Sequence, residues 1–316
     1  MEFAKFVVNE TPYAFWDLEL KKKNLDFIEG IDATYFRYVA ESNLPYLKGD
    51  DEQRAALALR LSYSQGLEAL LALLCSLVQS PECVVGWMNS YKTIELKDLV
   101  RKISRHEDVY SRLKGKPVTW ASLAQCVHSN LIFDEYKLNW IQKGFGKLWE
   151  GFAADFLEEG ISDEYNGAKH GLRTRPGGFY LAVGREDTPG VPAPQERMQT
   201  IGGSEFGTFF FTRETIIQRN RINFRLKGHS RNWNPENLAK GLLLLSISIN
   251  NVSSCLRVLN GAQRDKCRFI TPATEEAFEE PWKHSAGVDS VDVDVTIEPL
   301  HITPLTKEDI LKTYKG

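Results

Sequence analysis

Cysteine is scarce in this 316-residue chain, and what there is does not pattern. Cys75, Cys83, Cys126, Cys255 and Cys267 are odd in number and widely spaced, with no CxxC pair. That excludes the framework of a small disulfide-stapled domain and the ligand spacing of a structural zinc site. Reduced thiols beside apolar helical stretches, in a cytoplasmic protein, are the expectation. A charge excess is missing too: 39 basic and 42 acidic residues leave a formal net charge of −3. No global field gathers nucleic acid or an anionic membrane, so any such binding must come from a local patch. The N-terminus, "MEFAKFVVNETPYAFW", lacks the basic, apolar and small-residue segments of a secretory signal. No uninterrupted apolar run approaches the roughly 18 residues of a membrane helix. The most apolar stretch, Ala55 to Pro81, is broken by Arg60, Gln65 and Glu68 and predicts a buried helix. GxxxxGK[ST], HExxH and GxSxG are all absent. "GREDTPG" and "TIGGSEFG" lack the strand–helix setting of a nucleotide fingerprint.

What is present is helical periodicity. Residues 1–50 are aromatic-rich and predict a segment wrapped onto the body as strands or short helices. From Asp51, Leu57, Leu61, Leu67, Leu70, Leu71 and Leu74 recur at three- and four-residue steps, one broad helical face. Pro81 stops that helix. Thr93 can cap the next. A third stretch starts near Thr119 and reaches toward Trp140. Gly144 and Gly146 predict a break, and a fourth helix runs from about Lys147 to His170. "GGFYLAVGRE" and "GTFFFTRETIIQ" predict two strands joined by a long Pro/Gly-rich connection. Asn234, Pro235 and Gly261 mark the ends of a long helix. "VDSVDVDVTI" alternates as a half-exposed strand, and Thr306 with Asp309 forms a capping box for a short terminal helix. The chain therefore divides at 1–50, a helical core at 51–177, a β-hairpin insertion with a basic tract at 178–232, and a long helix with a mixed tail at 233–316. The expected fold class is mainly α.

The stretch "EYNGAKHGLRTRPGG" concentrates polar chemistry. In helical register Asn166 and His170 share a face, with Lys169 beside them and Arg173 and Arg175 downstream. Such a group can floor an anion site, and a histidine there can move protons. The plain structural alternative is a helix C-terminus, with Lys169 and His170 facing the negative dipole end and Gly171 as the left-handed residue beyond it.

Three pieces together resemble the HEPN-type helical domains of bacteria: "GLEALLALLCSLVQSPECVVGWM", "YKTIELKDLVRKI" and "EYNGAKHGLR", spanning about residues 50–175. The resemblance implies a helical bundle with a small β-hairpin insertion and a homodimer. Catalytically active members are metal-independent ribonucleases with paired Arg and His, so His170 is the residue that would act here. Glu164 and Tyr165 stand where the upstream arginine would be. Glu68, inside the apolar helix, would then support the His-bearing helix, and Gly167 and Ala168 would let a second helix approach.

A second basic tract, "RNRINFRLKGHSR", carries Arg219, Arg221, Arg225, Lys227 and Arg231 with Phe224 and His229 between them. It suits a phosphate backbone and a stacked base, or else a solvated strand. Asp289, Asp292 and Asp294 could collect a cation, but they read better as the charged edge of a sheet. The functional expectation is a HEPN-like protein binding RNA or a nucleotide phosphate without strong catalysis, in defence or stress response. It would use Asn166, Lys169, Arg173, Arg175, Arg219, Arg221, Arg225 and Lys227. The alternatives are a ribonuclease acting through His170 and a structural homodimer without ligand. No cofactor, metal or membrane is expected.

Overall fold

The computed structural model describes residues 3–17, 19–113, 117–129, 131, 133–171, 173–218, 221–283, 288–297 and 306–314. In chain order its elements are β1 (Phe3–Val8), β2 (Thr11–Trp16), α1 (Leu20–Glu29), α2 (Tyr35–Asn43), α3 (Glu52–Gln79), α4 (Val84–Ser90), α5 (Thr93–Ser104), α6 (Trp120–Val127), α7 (Glu135–Leu157), α8 (Glu159–Lys169), β3 (Thr174–Pro176), β4 (Tyr180–Val183), β5 (Gln199–Gly203), β6 (Gly207–Gln218), β7 (Arg221–Asn232), α9 (Pro235–Leu259), α10 (Glu280–Lys283), β8 (Ser290–Ile297) and α11 (Lys307–Thr313).

The expectation of a mainly α bundle with one small hairpin is overturned. Eight strands form three antiparallel sheets among the described residues, and the fold is mixed α/β. The physical reason lies in the basic tract. Its period-2 alternation of Phe224 and Leu226 with Arg225 and Lys227 is a strand pattern masked by charge. It pairs with all of β6, from Gly207↔Asn232 to Gln218↔Arg221. The strands expected to pair across the Pro/Gly-rich connection do not pair with each other: β4 takes β5, while β6 lies between β3 and β7.

The chain forms two compact units, Met1–Tyr165 with Asn234–Ser285, and Asn166–Trp233 with Ala286–Gly316. In the first, α3 and α9 form the centre. The two helices pack on each other, and Leu67, Leu70, Leu71 and Leu74 of α3 and Leu242, Leu245, Ile249 and Val252 of α9 are all buried. Each such side chain contributes about 1.5–3 kcal/mol on leaving water. By length and hydropathy alone both helices could cross a bilayer, but most of each is buried inside the unit, which is how core helices sit. The α9 cap forms as its residues predict: Asn234 Oδ1 accepts the Asn237 amide at 3.1 Å, Pro235 opens the helix, and Gly261 beyond it has φ +95°.

Gly144 and Gly146 do not break a helix. Both lie within α7 because neighbours use the space that a side chain would take. A Cβ on Gly144 would fall 2.3 Å from the Phe278 ring, and one on Gly146 would fall 3.2 Å from Ala121 Cα. Packing of that kind offsets the intrinsic cost of about 1 kcal/mol for a helical glycine. The expected single helix to His170 is instead two, α7 and α8, parted at Glu158. Thr93 is the first residue of α5 rather than its cap, and Glu95 Oε2 accepts the Lys92 amide at 2.9 Å.

The second unit is built on the four-stranded sheet in the order β3-β6-β7-β8, with the β4–β5 hairpin as a separate ribbon. Asn232 ties its parts together. Its buried side chain accepts the Phe179 amide and donates to the carbonyls of Phe179 and Val288, each at 2.9 Å. Thr306 and Asp309 close the capping box of α11 as the sequence predicts.

Candidate functional site: two faces of one sheet

Strand alternation divides the side chains of β6 and β7 between two faces. The register places Phe210 opposite His229, Thr212 opposite Lys227, and His229 opposite Asp292. These residues, with Glu214 and Arg225, share one face. Phe209, Phe211 and Arg213 of β6, Phe224 of β7 and Arg175 of β3 share the other.

The first face is polar and wired by hydrogen bonds. His229 Nδ1 lies 2.9 Å from Asp292 Oδ1, and its Nε2 lies 2.6 Å from Thr212 Oγ1. Its ring stacks on buried Phe210, centroids 5.6 Å apart. Lys227 Nζ also binds the Asp292 carboxylate, and Arg225 Nε donates to Glu214 Oε2 at 2.6 Å. The Lys227 ammonium, followed by the His229 imidazole, holds the Asp292 carboxyl below its usual range. A hydroxyl, an imidazole and a carboxylate in series are the components of general-base chemistry, with the carboxylate fixing the ring's orientation.

The second face is aromatic and acid-free among its described side chains. Phe209 and Phe211 meet edge to face at 5.0 Å. The Arg175 guanidinium lies 5.3 Å from the Phe209 ring centre, and that of Arg213 lies 4.2 Å from Phe224. Phe211 is exposed, as are both arginines. Flat rings beside cations give stacking surfaces with a positive charge at hand.

The residues expected from the sequence are distributed differently. The turn at Asn166–Arg173 is a helix end. Asn166 O accepts the His170 amide at 3.1 Å, and Gly167 O accepts that of Arg173 at 2.8 Å. Gly171 takes φ +105°, and Arg173 Nε donates to His170 O at 2.8 Å. The Arg173 guanidinium thus serves the carbonyl end of α8. Asn166, Lys169 and His170 are exposed there. Gly167 faces the sheet: a Cβ on it would sit 3.4 Å from Thr174 Cγ2 and 3.9 Å from Phe210 Cβ. Arg225 and Lys227 share the polar face, and Arg175 joins the aromatic one. Arg219 lies outside the described residues, and of Arg221 only the backbone is described. Glu68 is half-buried in the first unit, with the hydroxyls of Tyr91 at 3.4 Å and Thr93 at 3.5 Å as partners. Asp292 does sit on an edge strand, since among the described residues β8 pairs only with β7.

Thr212 and Arg213 were not singled out by sequence reasoning, nor were the rings of Phe209 and Phe211. Their signal was available. In "GTFFFTRET", Phe209, Phe211 and Arg213 recur at every second residue, which puts all three on one side of a strand. Among the described residues no group of three or more His, Cys, Asp or Glu is placed to hold a metal ion.

The fold and both faces define a mixed α/β protein whose second unit presents a two-sided antiparallel sheet. No family model matches the chain, and no curated protein or solved structure matches it.

Proposed function

We propose that this protein binds single-stranded RNA on the aromatic face of its four-stranded sheet. The observation that carries the reading is the set of Phe209, Phe211 and Phe224 interleaved with Arg175 and Arg213, with no acid among the described side chains of that face. Every base has a π-face, so stacking on phenylalanine is tolerant of sequence, and each stacked base contributes roughly 1–3 kcal/mol. The arginines supply the cations that track phosphates. Other cations of the sheet suit this role less well, because Arg225 and Lys227 are already paired with Glu214 and Asp292. The HEPN-type resemblance covers mostly the first unit, so the reading stands on the second unit's own chemistry.

Fluorescence anisotropy with a labelled 12-nucleotide pyrimidine RNA tests it. Phe209→Ala/Phe211→Ala is expected to weaken binding by about tenfold or more, the loss of one or two stacked bases. Binding of the single strand that is unaffected by the double change would sink the platform. Equal binding of duplex RNA would point to backbone charge alone. Binding of mononucleotides but not of the oligomer would point to a nucleotide site.

A further inference from the structure

We propose that the opposite, polar face of the same sheet is a phosphodiester-cleaving site for RNA, with His229 as general base. The inference rests on the reading of the second unit as an RNA-binding surface. The observation behind it is a different one, the chain of bonds through Thr212, His229 and Asp292 flanked by Arg225 and Lys227.

Transesterification within RNA needs three things: a base for the 2′-hydroxyl proton, cations for the charge that builds on the phosphoryl oxygens, and a proton for the departing 5′-oxygen. This face holds all three. His229 Nδ1 faces Asp292 Oδ1 and Nε2 faces a hydroxyl. In the tautomer that donates Nδ1–H to the carboxylate, the Nε2 lone pair points at that hydroxyl. That hydroxyl is Thr212's, 2.6 Å away, and it occupies the position a substrate hydroxyl must take. Lys227 and Arg225 extend from the same strand and the same face as His229, at alternate residues. On binding, each would exchange its carboxylate partner, Asp292 for Lys227 and Glu214 for Arg225, for a non-bridging oxygen of a phosphate next to that hydroxyl. All of these side chains are reachable from solvent: His229 is 23% exposed, Lys227 31% and Arg225 41%.

The route between the faces is short. β3 pairs with β6 only from Thr208 to Phe210, so among the described residues the edge of β6 is open from Thr212 onward. A strand stacked on Phe211 can turn around that edge and present its next sugar to His229.

In the step itself, His229 Nε2 takes the 2′-hydroxyl proton and the 2′-oxygen forms a bond to phosphorus. The bond from phosphorus to the 5′-oxygen breaks, and that oxygen leaves with a proton from the Lys227 ammonium. Solvent reprotonates Lys227 and receives the proton from His229. The products are a 2′,3′-cyclic phosphate and a free 5′-hydroxyl. No oxidant, reductant or metal enters the balance. DNA, which lacks the 2′-hydroxyl, cannot react.

The experiment measures retention and cleavage separately. Purified protein is incubated in EDTA with an end-labelled single-stranded RNA and with its all-deoxy counterpart, and products are resolved by mass. The expected result is RNA cleavage with cyclic phosphate ends and intact DNA. His229→Gln should lose on the order of 10²–10⁴-fold in rate, the worth of a general base, with RNA retention unchanged. Lys227→Gln, on the same strand as His229, should lower the rate as well, and circular dichroism checks that both variants fold. RNA retained by the wild type but left uncut overturns the cleavage proposal and leaves the binding proposal standing. RNA neither retained nor cut overturns both. Cleavage at the wild-type rate by folded His229→Gln, or cleavage of the deoxy strand, overturns the assignment of His229.

Discussion

Arg60 on α3 donates twice to a single carboxylate oxygen of Glu164 on α8, from Nε at 2.9 Å and from Nη2 at 2.6 Å. Both side chains are almost wholly buried, at 6% and 3% exposed. Glu164 receives this arginine from a helix about a hundred residues earlier. Burying the pair raises a cost in desolvation that the attraction must offset. The Arg60 guanidinium is nonetheless held in its charged form, because Glu164, joined by Asp155, outweighs the burial that opposes it.

Removing one partner is therefore predicted to be much worse than removing both. Arg60→Ala or Glu164→Ala alone should cost about 3–5 kcal/mol, since each takes from a buried charge the ion-pair partner that compensates its desolvation. Arg60→Met with Glu164→Leu should cost less than either single change. Urea denaturation of the three variants checks the order. Additive losses in the double variant would show that the pair is not coupled.

His128 gives the first unit a pH dependence. Its ring is wholly buried between α6 and α7, stacked on Phe145 at 4.3 Å. Nδ1 bonds to Ala124 O at 2.8 Å, and Nε2 takes the Asn251 amide at 3.1 Å. Burial lowers its pKa from 6.5 to about 4, while the Ala124 carbonyl opposes the shift weakly. The neutral form is favoured in the folded state, so the unfolded chain binds the proton first. This contribution is complete above pH 6.5 and falls as pH drops toward 4, by about 2 kcal/mol between pH 7 and pH 5. His128→Gln should flatten that segment of the stability curve. An unchanged slope in the variant would remove His128 as the cause.

Gly144 is predicted to tolerate no side chain while Phe278 is present. Ala there gains helix propensity, up to about 1 kcal/mol, but its methyl meets the Phe278 ring, and overpacking typically costs about 1–3 kcal/mol. Gly144→Ala should therefore lower the melting temperature. Gly144→Ala with Phe278→Leu should recover part of the loss. If the single variant is more stable than wild type, Phe278 is free to move aside.

The two arginines of the aromatic face should appear in the salt dependence of RNA binding. For a single strand each lost phosphate contact lowers the slope of log affinity against log salt by about 0.7. Arg175→Ala with Arg213→Ala is thus expected to lower it by about 1.4. Lys169→Ala with His170→Ala, at the end of α8, should leave it unchanged. The reverse pattern would move the RNA path to the Asn166–Arg173 turn.

Local chemistry was legible in the residues themselves. Asn234, Pro235 and Gly261 bound α9, and Thr306 and Asp309 cap α11, because capping and left-handed glycine depend on residues a few positions apart. The Asn166–Gly171 stretch allowed both a helix end and an anion site on the same local grounds. The alternation of β8 marked a strand, and its aspartates a sheet edge, for the same reason. What only the tertiary structure decided depends on distant partners. Gly144 and Gly146 read as breaks until Phe278 and Ala121 fill the space beside them. The basic tract read as a loop or solvated strand until β6 supplied its hydrogen bonds. The wiring of Thr212 through His229 to Asp292 joins three strands over some eighty residues. Strand order sets that arrangement, and no local propensity encodes which strand will lie beside which.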